Sequence, residues 1–141
     1  MITSRKTSDL LPQVEDLALE LVRLCGEASI DLIVTRTYSD FEAQTKLYAQ
    51  GRTQIGEIVT WAEAGESWHN WQRAFDVVPV VKGKAVWDDD LVWGKIGKIG
   101  RDLGLEWGGD WRKKKDRPHF QYTEHLTLGS LLEQHPKGLT L

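Results

Sequence analysis

The segment "SWHNWQRAFDVV", residues 67–78, places an ionisable carboxylate, Asp76, inside an apolar run that continues to Val81. The β-branched residues of "AFDVVPVV", residues 74–81, predict a strand, and Pro79 predicts that this strand lies at a sheet edge or near its own end. A carboxylate buried without a partner is strongly destabilising. The fold must therefore supply Asp76 with a cation or with hydrogen-bond donors.

His69 is the first candidate partner, seven residues before Asp76. On one straight strand the two residues would lie roughly 23 Å apart and on opposite faces. Both can bind one ion only if the chain doubles back near residues 70–73 and pairs "SWH" against "AFD". For a third ligand, His119 in "DRPHFQY" is a better candidate than the two histidines of the polar tail, His125 and His135.

Two imidazoles and one carboxylate would leave a fourth zinc position open, which is typical of a catalytic site. Asp116 lies three residues before His119 and could act as a general base there if the loop turns just before Pro118. Cys25 is the only cysteine, so an intramolecular disulfide and a four-cysteine zinc site are excluded. Spacing alone does not settle the matter, because a lone histidine on an apolar face is usually a core residue with satisfied hydrogen bonds.

Local patterns predict three helices and several strands in one domain that covers residues 1–141. Ser39 and Glu42 form a capping box for the second helix, and Gly51 a stop. Gly94, Gly97 and Gly100 weaken the third helix and suggest that another backbone packs closely against it. The predicted helices are 10–28, about 40–50, and a segment from the Asp88–Asp90 trio to 103; the predicted strands are 31–36, 58–60, 74–81 and those in "LEWGGDW" and "PHFQY".

Composition limits the class of protein. The chain has 141 residues, of which 40% are hydrophobic and 28% charged, as in a globular protein. Its net charge of -3 argues against a nucleic-acid-binding protein, and the basic run Lys113–Lys115 is better explained as a solvated loop. We find neither a signal peptide nor a run of 18 apolar residues, so we expect no membrane insertion, and we expect a monomer.

The same motifs carry a family resemblance. "SWHNWQRAFDVV" resembles the S-x-H-x-x-G-x-A-x-D signature of the zinc peptidases that include D-alanyl-D-alanine carboxypeptidases and L-alanyl-D-glutamate endopeptidases of bacteria and phages. "TRTYSDFEAQTKLYAQGRT" resembles the family's arginine-bearing strand and helix, while "LGLEWGGDW" and "DRPHFQ" resemble its final catalytic strands. The resemblance covers about residues 30–122. Gln72 replaces the signature glycine, so a positive φ there would strain the turn.

The resemblance implies a small α+β domain with a mainly antiparallel sheet and flanking helices, as in the Hedgehog signalling domain. It implies one Zn²⁺ ion bound by His69, Asp76 and His119, with Asp116 as general base and acid. Arg36 would hold substrate and stabilise the oxyanion, and Ser67 would contact substrate. Trp68 and Trp71 could line the substrate groove or belong to the core.

The implied function is hydrolysis of peptidoglycan stem peptides at the L-alanyl-D-glutamate bond. Without a signal peptide, the enzyme would be a phage endolysin that waits in the cytoplasm of the host cell and acts on the wall after release. The alternatives are a D,D-carboxypeptidase, a bacterial wall-remodelling peptidase, and a non-catalytic wall-binding domain stabilised by zinc.

Overall fold

One antiparallel sheet of five short strands organises the chain, and the computed structural model describes residues 1–141. The predicted α+β class with a mainly antiparallel sheet and flanking helices is confirmed. The helices are α1 (Pro12–Glu27), α2 (Phe41–Ala49), α3 (Asp90–Asp102) and α4 (Leu128–Gln134), and the strands are β1 (Asp31–Arg36), β2 (Ala74–Val81), β3 (Lys84–Ala85), β4 (Glu106–Trp107) and β5 (His119–Gln121).

The strand order is β1-β2-β5-β4, with β3 paired to β2. β2 is therefore central, so the sequence alternative of an edge strand is wrong, whereas the alternative of a strand end agrees with the position of Pro79 two residues before the end of β2. Pro79 opposes Leu32 of β1, but its carbonyl faces the other side and accepts from the Val86 backbone N–H at 2.9 Å. β5 pairs only with residues 74–76 of β2, so Pro79 lies beyond the β5 ladder.

The main core lies between the sheet and helices α1 and α3. Phe75 and Phe120 from neighbouring strands stack with ring centroids 5.9 Å apart, and both are fully buried. Side chains, and not the backbone expected from the sequence, account for two of the three glycines of α3, and nothing in the structure explains Gly94. A Cβ on Gly97 would overlap the Trp107 ring, and one on Gly100 would overlap the Phe120 ring.

Three local predictions need correction. Asp40, not Ser39, caps α2, because its side chain accepts from the Ala43 N–H at 2.9 Å. Residues 58–60 form no strand. The C-terminal tail contains a helix that the polar sequence concealed, α4, which is capped by Thr127.

The turn between His69 and Asp76 exists, although it is not a hairpin. Residues Trp68–Trp71 form a 3₁₀ helix, so "SWH" does not pair with "AFD". Gln72 ends this helix in the left-handed region, with φ of 61°, which is the strained conformation expected where the signature has glycine. Two hydrogen bonds stabilise it: the Gln72 Nε2 donates to the Asp9 carbonyl at 2.8 Å, and the Gln72 carbonyl accepts from the Leu11 N–H at 3.1 Å.

None of the helices has the length and apolar character needed to cross a membrane. The assignment of residues 1–141 to one domain with its motif-bearing core at about 30–122 stays a prediction.

Candidate active site

A single cross-strand row places three of the predicted site residues side by side. Asp76 of the central strand β2 opposes Arg36 on β1 and His119 on β5. The alignment of Arg36 depends on a bulge, because the register shifts between Val34 and Arg36 and leaves Thr35 unpaired. Side chains alternate along a strand, so without the extra residue Arg36 would point to the core face.

His69 approaches Asp76 from the 3₁₀ helix. Ser67 caps the N-terminus of that helix, because its hydroxyl accepts a hydrogen bond from the His69 N–H. The imidazole Nδ1 lies 2.7 Å from the Thr37 carbonyl oxygen. Since a carbonyl only accepts, Nδ1 carries the proton and Nε2 is left with its lone pair, 3.2 Å from Asp76 Oδ1. Asn70 fixes the 3₁₀ helix against the chain after β1, because its Nδ2 donates to the Ser39 carbonyl at 2.9 Å.

His119 completes a cluster that could hold a metal ion. Its Nδ1 lies 3.3 Å from Asp76 Oδ1, and the ligand atoms of His69, Asp76 and His119 all lie within 4.8 Å of one another. The side chains of the two histidines are 3% and 8% exposed, and that of Asp76 is 20% exposed. His125 and His135 lie outside the cluster.

The donor set fits zinc, which binds imidazole nitrogen and carboxylate oxygen and keeps an open position when three protein ligands hold it. Burial acts to raise the pKa of Asp76, but the two neighbouring imidazoles outweigh burial and hold it far below its usual range. Burial lowers the pKa of His69. Burial also acts to lower the pKa of His119, yet Asp76 and Gln121 raise it overall. A carboxylate that stays ionised in this buried setting is suited to a cation.

Asp116 lies beside the cluster because the chain turns between it and His119. The His119 N–H donates to the Asp116 carbonyl at 3.1 Å, and the Asp116 N–H donates to the Gly108 carbonyl at 3.0 Å. Only glycine fits at Gly108, since a Cβ would overlap the Asp116 backbone. Asp116 is exposed to solvent; desolvation by the cleft walls raises its pKa, and the charge of Asp76 acts in the same direction.

Arg36 forms no ion pair. Its Nε donates to the Ser39 hydroxyl at 3.0 Å and its Nη2 to Gln44 Oε1 at 3.3 Å. Burial lowers its pKa, although the charges of Asp76 and Asp116 oppose that effect. A guanidinium stays charged even when its pKa is lowered. Asp76 and Asp116 therefore face a fixed positive charge, which has N–H donors beyond those bonded to Ser39 and Gln44.

Four of these residues line one cleft of about 870 Å³, which also contains Ser67: Arg36, His69, Asp116 and His119. Trp68 lies in the cleft wall, whereas Trp71 is 2% exposed and packs edge-on against Phe41 with ring centroids 5.6 Å apart. The basic run Lys113–Lys115 lies in the same wall, and Lys114 Nζ sits 4.1 Å from the centroid of the Trp61 ring.

Several supporting residues were missed by sequence reasoning. Gln121 Oε1 lies 2.7 Å from His119 Nε2, and the Trp111 ring lies 5.2 Å from the His119 ring. The alternation of a β-strand puts residues 119 and 121 on one face, so Gln121 could have been found once the strand was assigned. Thr37 acts through its backbone carbonyl, for which side-chain identity carries no signal.

A buried pair of imidazoles with one carboxylate, set in a cleft with a further carboxylate and an arginine, defines a metallopeptidase-type site. The model of the D-alanyl-D-alanine carboxypeptidase family matches residues 60–122. The peptidoglycan L-alanyl-D-glutamate endopeptidase CwlK of Bacillus subtilis (strain 168) is 39% identical over 123 residues, which cover 81% of this chain and 74% of CwlK.

Solved structures share the fold. The L-Ala D-Glu endopeptidase ChiX of Serratia marcescens superposes with a TM-score of 0.58 at 23% identity, over 96% of this chain and 92% of ChiX. The vancomycin-resistance D,D-pentapeptidase VanY, in complex with Zn(II), gives a TM-score of 0.63 at 13% identity, over 95% of this chain and 85% of VanY.

The chain belongs to the family of zinc D-alanyl-D-alanine carboxypeptidases and L-alanyl-D-glutamate endopeptidases, as the sequence predicted. It is a zinc peptidase, and this confirms the predicted enzyme class and cofactor.

Proposed function

We propose that this enzyme hydrolyses the L-alanyl-D-glutamate bond in the peptide stems of peptidoglycan, with His69, Asp76 and His119 as the zinc ligands. The observation that carries the proposal is that both histidines of the metal-binding cluster line one cleft together with a further carboxylate, Asp116, and a fixed cation, Arg36. CwlK, which is named for this bond, supports the choice of substrate.

Zinc bound to the cluster would act as a Lewis acid that polarises the scissile carbonyl, and it can lower the pKa of a coordinated water to about 7. Asp116 accepts a proton from the attacking water and returns it to the leaving amine, so one carboxylate serves as base and then as acid.

Arg36 binds the substrate and stabilises negative charge on the carbonyl oxygen in the transition state. The hydrogen bonds to Ser39 and Gln44 hold the guanidinium in place before substrate arrives. Preorganised donors cost no reorganisation during the reaction. Ser67 at the cleft wall contacts the peptide through its hydroxyl.

A D,D-carboxypeptidase is the alternative within the family. Such an enzyme must enclose a free C-terminal carboxylate, whereas a cleft of about 870 Å³ lined by several separate segments can accept peptide on both sides of the scissile bond. The net positive lining, with Arg36 and Lys113–Lys115 against Glu66 and Asp116, suits an acidic stem peptide.

Digestion of purified muropeptides, followed by mass spectrometry, tests the proposal. We expect fragments with a new N-terminal D-glutamate, no cleavage after chelation, and recovery when zinc is restored. Release of terminal alanine alone would assign the enzyme to the carboxypeptidases.

Asp116→Asn tests the base, and Asp110→Asn is a matched control. Asp110 lies in the same connection but is paired with Arg101 at 2.9 Å, outside the catalytic cleft. Loss of a general base typically lowers the rate by about 10²–10⁴-fold. We expect that loss in Asp116→Asn with zinc content unchanged, and full activity in Asp110→Asn; wall cleavage by Asp116→Asn at the normal rate would refute the role.

We also propose that the enzyme is a monomeric phage endolysin that acts from the host cytoplasm, a setting that rests on the sequence expectations. CwlK comes from a bacterium, so wall remodelling is the alternative. Cytoplasmic expression should leave cells intact until a pore-forming protein permeabilises the membrane, and lysis should then be rapid. Wall degradation without any membrane lesion would favour remodelling. Light scattering tests the monomer, and salt-dependent DNA binding tests the expected lack of nucleic-acid affinity.

A further inference from the structure

A chain of hydrogen bonds runs from His119 to the far edge of the sheet. His119 and Gln121 project from the same face of β5, and Gln121 opposes Glu106 on β4. His119 Nε2 lies 2.7 Å from Gln121 Oε1, and Gln121 Nε2 donates to Glu106 Oε2 at 2.8 Å. These hydrogen bonds therefore link Nε2 of His119 to the carboxylate of Glu106, which takes no part in the proposed reaction.

Glu106 imposes a direction on this chain. A carboxylate only accepts hydrogen bonds, so the Gln121 amide must turn its NH₂ group toward Glu106 and its oxygen toward His119. His119 must then present N–H at Nε2, which leaves the lone pair on Nδ1, the nitrogen 3.3 Å from Asp76 Oδ1. The side chain of His119 is 8% exposed and Gln121 is 5% exposed, so water competes little for the bond between them, whereas Glu106 lies at the exposed end of the network.

Trp111 connects the same carboxylate to the cleft wall. Its indole Nε1 donates to Glu106 Oε2 at 3.1 Å, and its ring lies against the His119 ring with centroids 5.2 Å apart. Glu106 therefore restrains the imidazole in two ways, by hydrogen bonding through Gln121 and by ring contact through Trp111.

We propose that Glu106 is a positioning residue of the metal site, which acts through Gln121 and Trp111 to hold His119 with Nδ1 directed at the ion. The proposal rests on the proposed role of His119 as a zinc ligand. Loss of such an outer partner typically weakens metal affinity about 10–100-fold.

Zinc affinity, measured by competition with a chromophoric chelator, tests the proposal independently of catalysis. Gln121→Met and Glu106→Met keep side-chain length without the required oxygen. We expect each to weaken zinc binding about 10–100-fold. The double variant should bind zinc as Glu106→Met does, because Gln121 has no effect on His119 that is independent of Glu106. Glu106→Gln keeps an acceptor oxygen and should recover part of the affinity.

A spectroscopic measurement separates positioning from general destabilisation. In the zinc-loaded protein, the Nε2 proton of His119 should give a slowly exchanging NMR signal, which Gln121→Met should lose. Glu133→Gln is the control, because Glu133 is an exposed carboxylate on α4 outside this chain. Unchanged zinc affinity in both Met variants, or an equal loss in Glu133→Gln, would overturn the proposal. A different cleavage product in the muropeptide assay would instead overturn the proposed substrate and leave this proposal intact.

Discussion

Three glycines of α3 provide a stability test in which neighbouring, chemically identical substitutions should have unequal effects on the free energy of unfolding. Gly94 is exposed, and nothing lies within 4 Å of a Cβ placed on it. Gly97 is buried, and the three atoms nearest to a Cβ at that position belong to the ring of Trp107. Gly100 meets Phe120 in the same way. Alanine at each position therefore gains the same helix propensity but meets different surroundings.

The magnitude follows from two terms. Replacing an interior helical glycine with alanine stabilises by about 1 kcal/mol, and this is the whole expected effect in Gly94→Ala. Overpacking a filled core costs about 1–3 kcal/mol. Trp107 cannot yield easily, because its Nε1 donates to the Arg117 carbonyl at 2.8 Å and its ring stacks on Phe120 at 6.4 Å. Gly97→Ala should therefore be about 1–3 kcal/mol less stable than Gly94→Ala.

Urea unfolding followed by tryptophan fluorescence measures the difference, with zinc fixed at a saturating concentration. The dependence of the unfolding free energy on urea should be the same in the three variants, so that midpoints report stability. Equal stabilisation by all three substitutions would refute the packing argument. Gly100→Ala should also weaken zinc binding, because Phe120 separates His119 and Gln121 on β5; Gly94→Ala should leave it unchanged.

Three further predictions concern single residues. Burial raises the pKa of the Cys25 thiol from 9.0 to about 11, so the folded state favours the neutral thiol. The stability that this preference contributes is complete below pH 9 and is lost as the pH rises toward 11. The wild type should lose about 2–3 kcal/mol more than Cys25→Ala over that interval in urea titrations, and equal losses would contradict the shift. Gln72→Gly and Gln72→Ala both remove the hydrogen bond to Asp9, but only glycine relieves the strain of a φ of 61°. The free energy of unfolding should therefore be about 1 kcal/mol higher in the glycine variant than in the alanine variant, and the reverse order would show that the turn is unstrained. Arg36→Lys loses the guanidinium that Ser39 and Gln44 hold in place, and we expect kcat to fall about 10²–10³-fold with zinc affinity unchanged. A change in KM alone would limit the role of Arg36 to substrate binding.

The cluster residues could be predicted from the sequence because their identities carry the chemistry. His69, Asp76 and His119 are polar groups in apolar surroundings, and the structure brings them together. The path between two of them was predicted wrongly, since a 3₁₀ helix ending at Gln72 replaces the expected hairpin. Both paths reverse the chain, and the spacing of His69 and Asp76 does not distinguish them.

Relations between distant segments decide the rest of the site. Arg36 faces Asp76 only because Thr35 forms a bulge, and a bulge is a property of two paired strands rather than of one sequence segment. The pairing of Gln121 with Glu106 likewise depends on the register of β5 against β4. A one-residue shift of that register would turn Glu106 to the other face of the sheet and leave the Gln121 amide free to rotate. The orientation of a proposed zinc ligand therefore depends on a strand pair of two residues at the sheet edge.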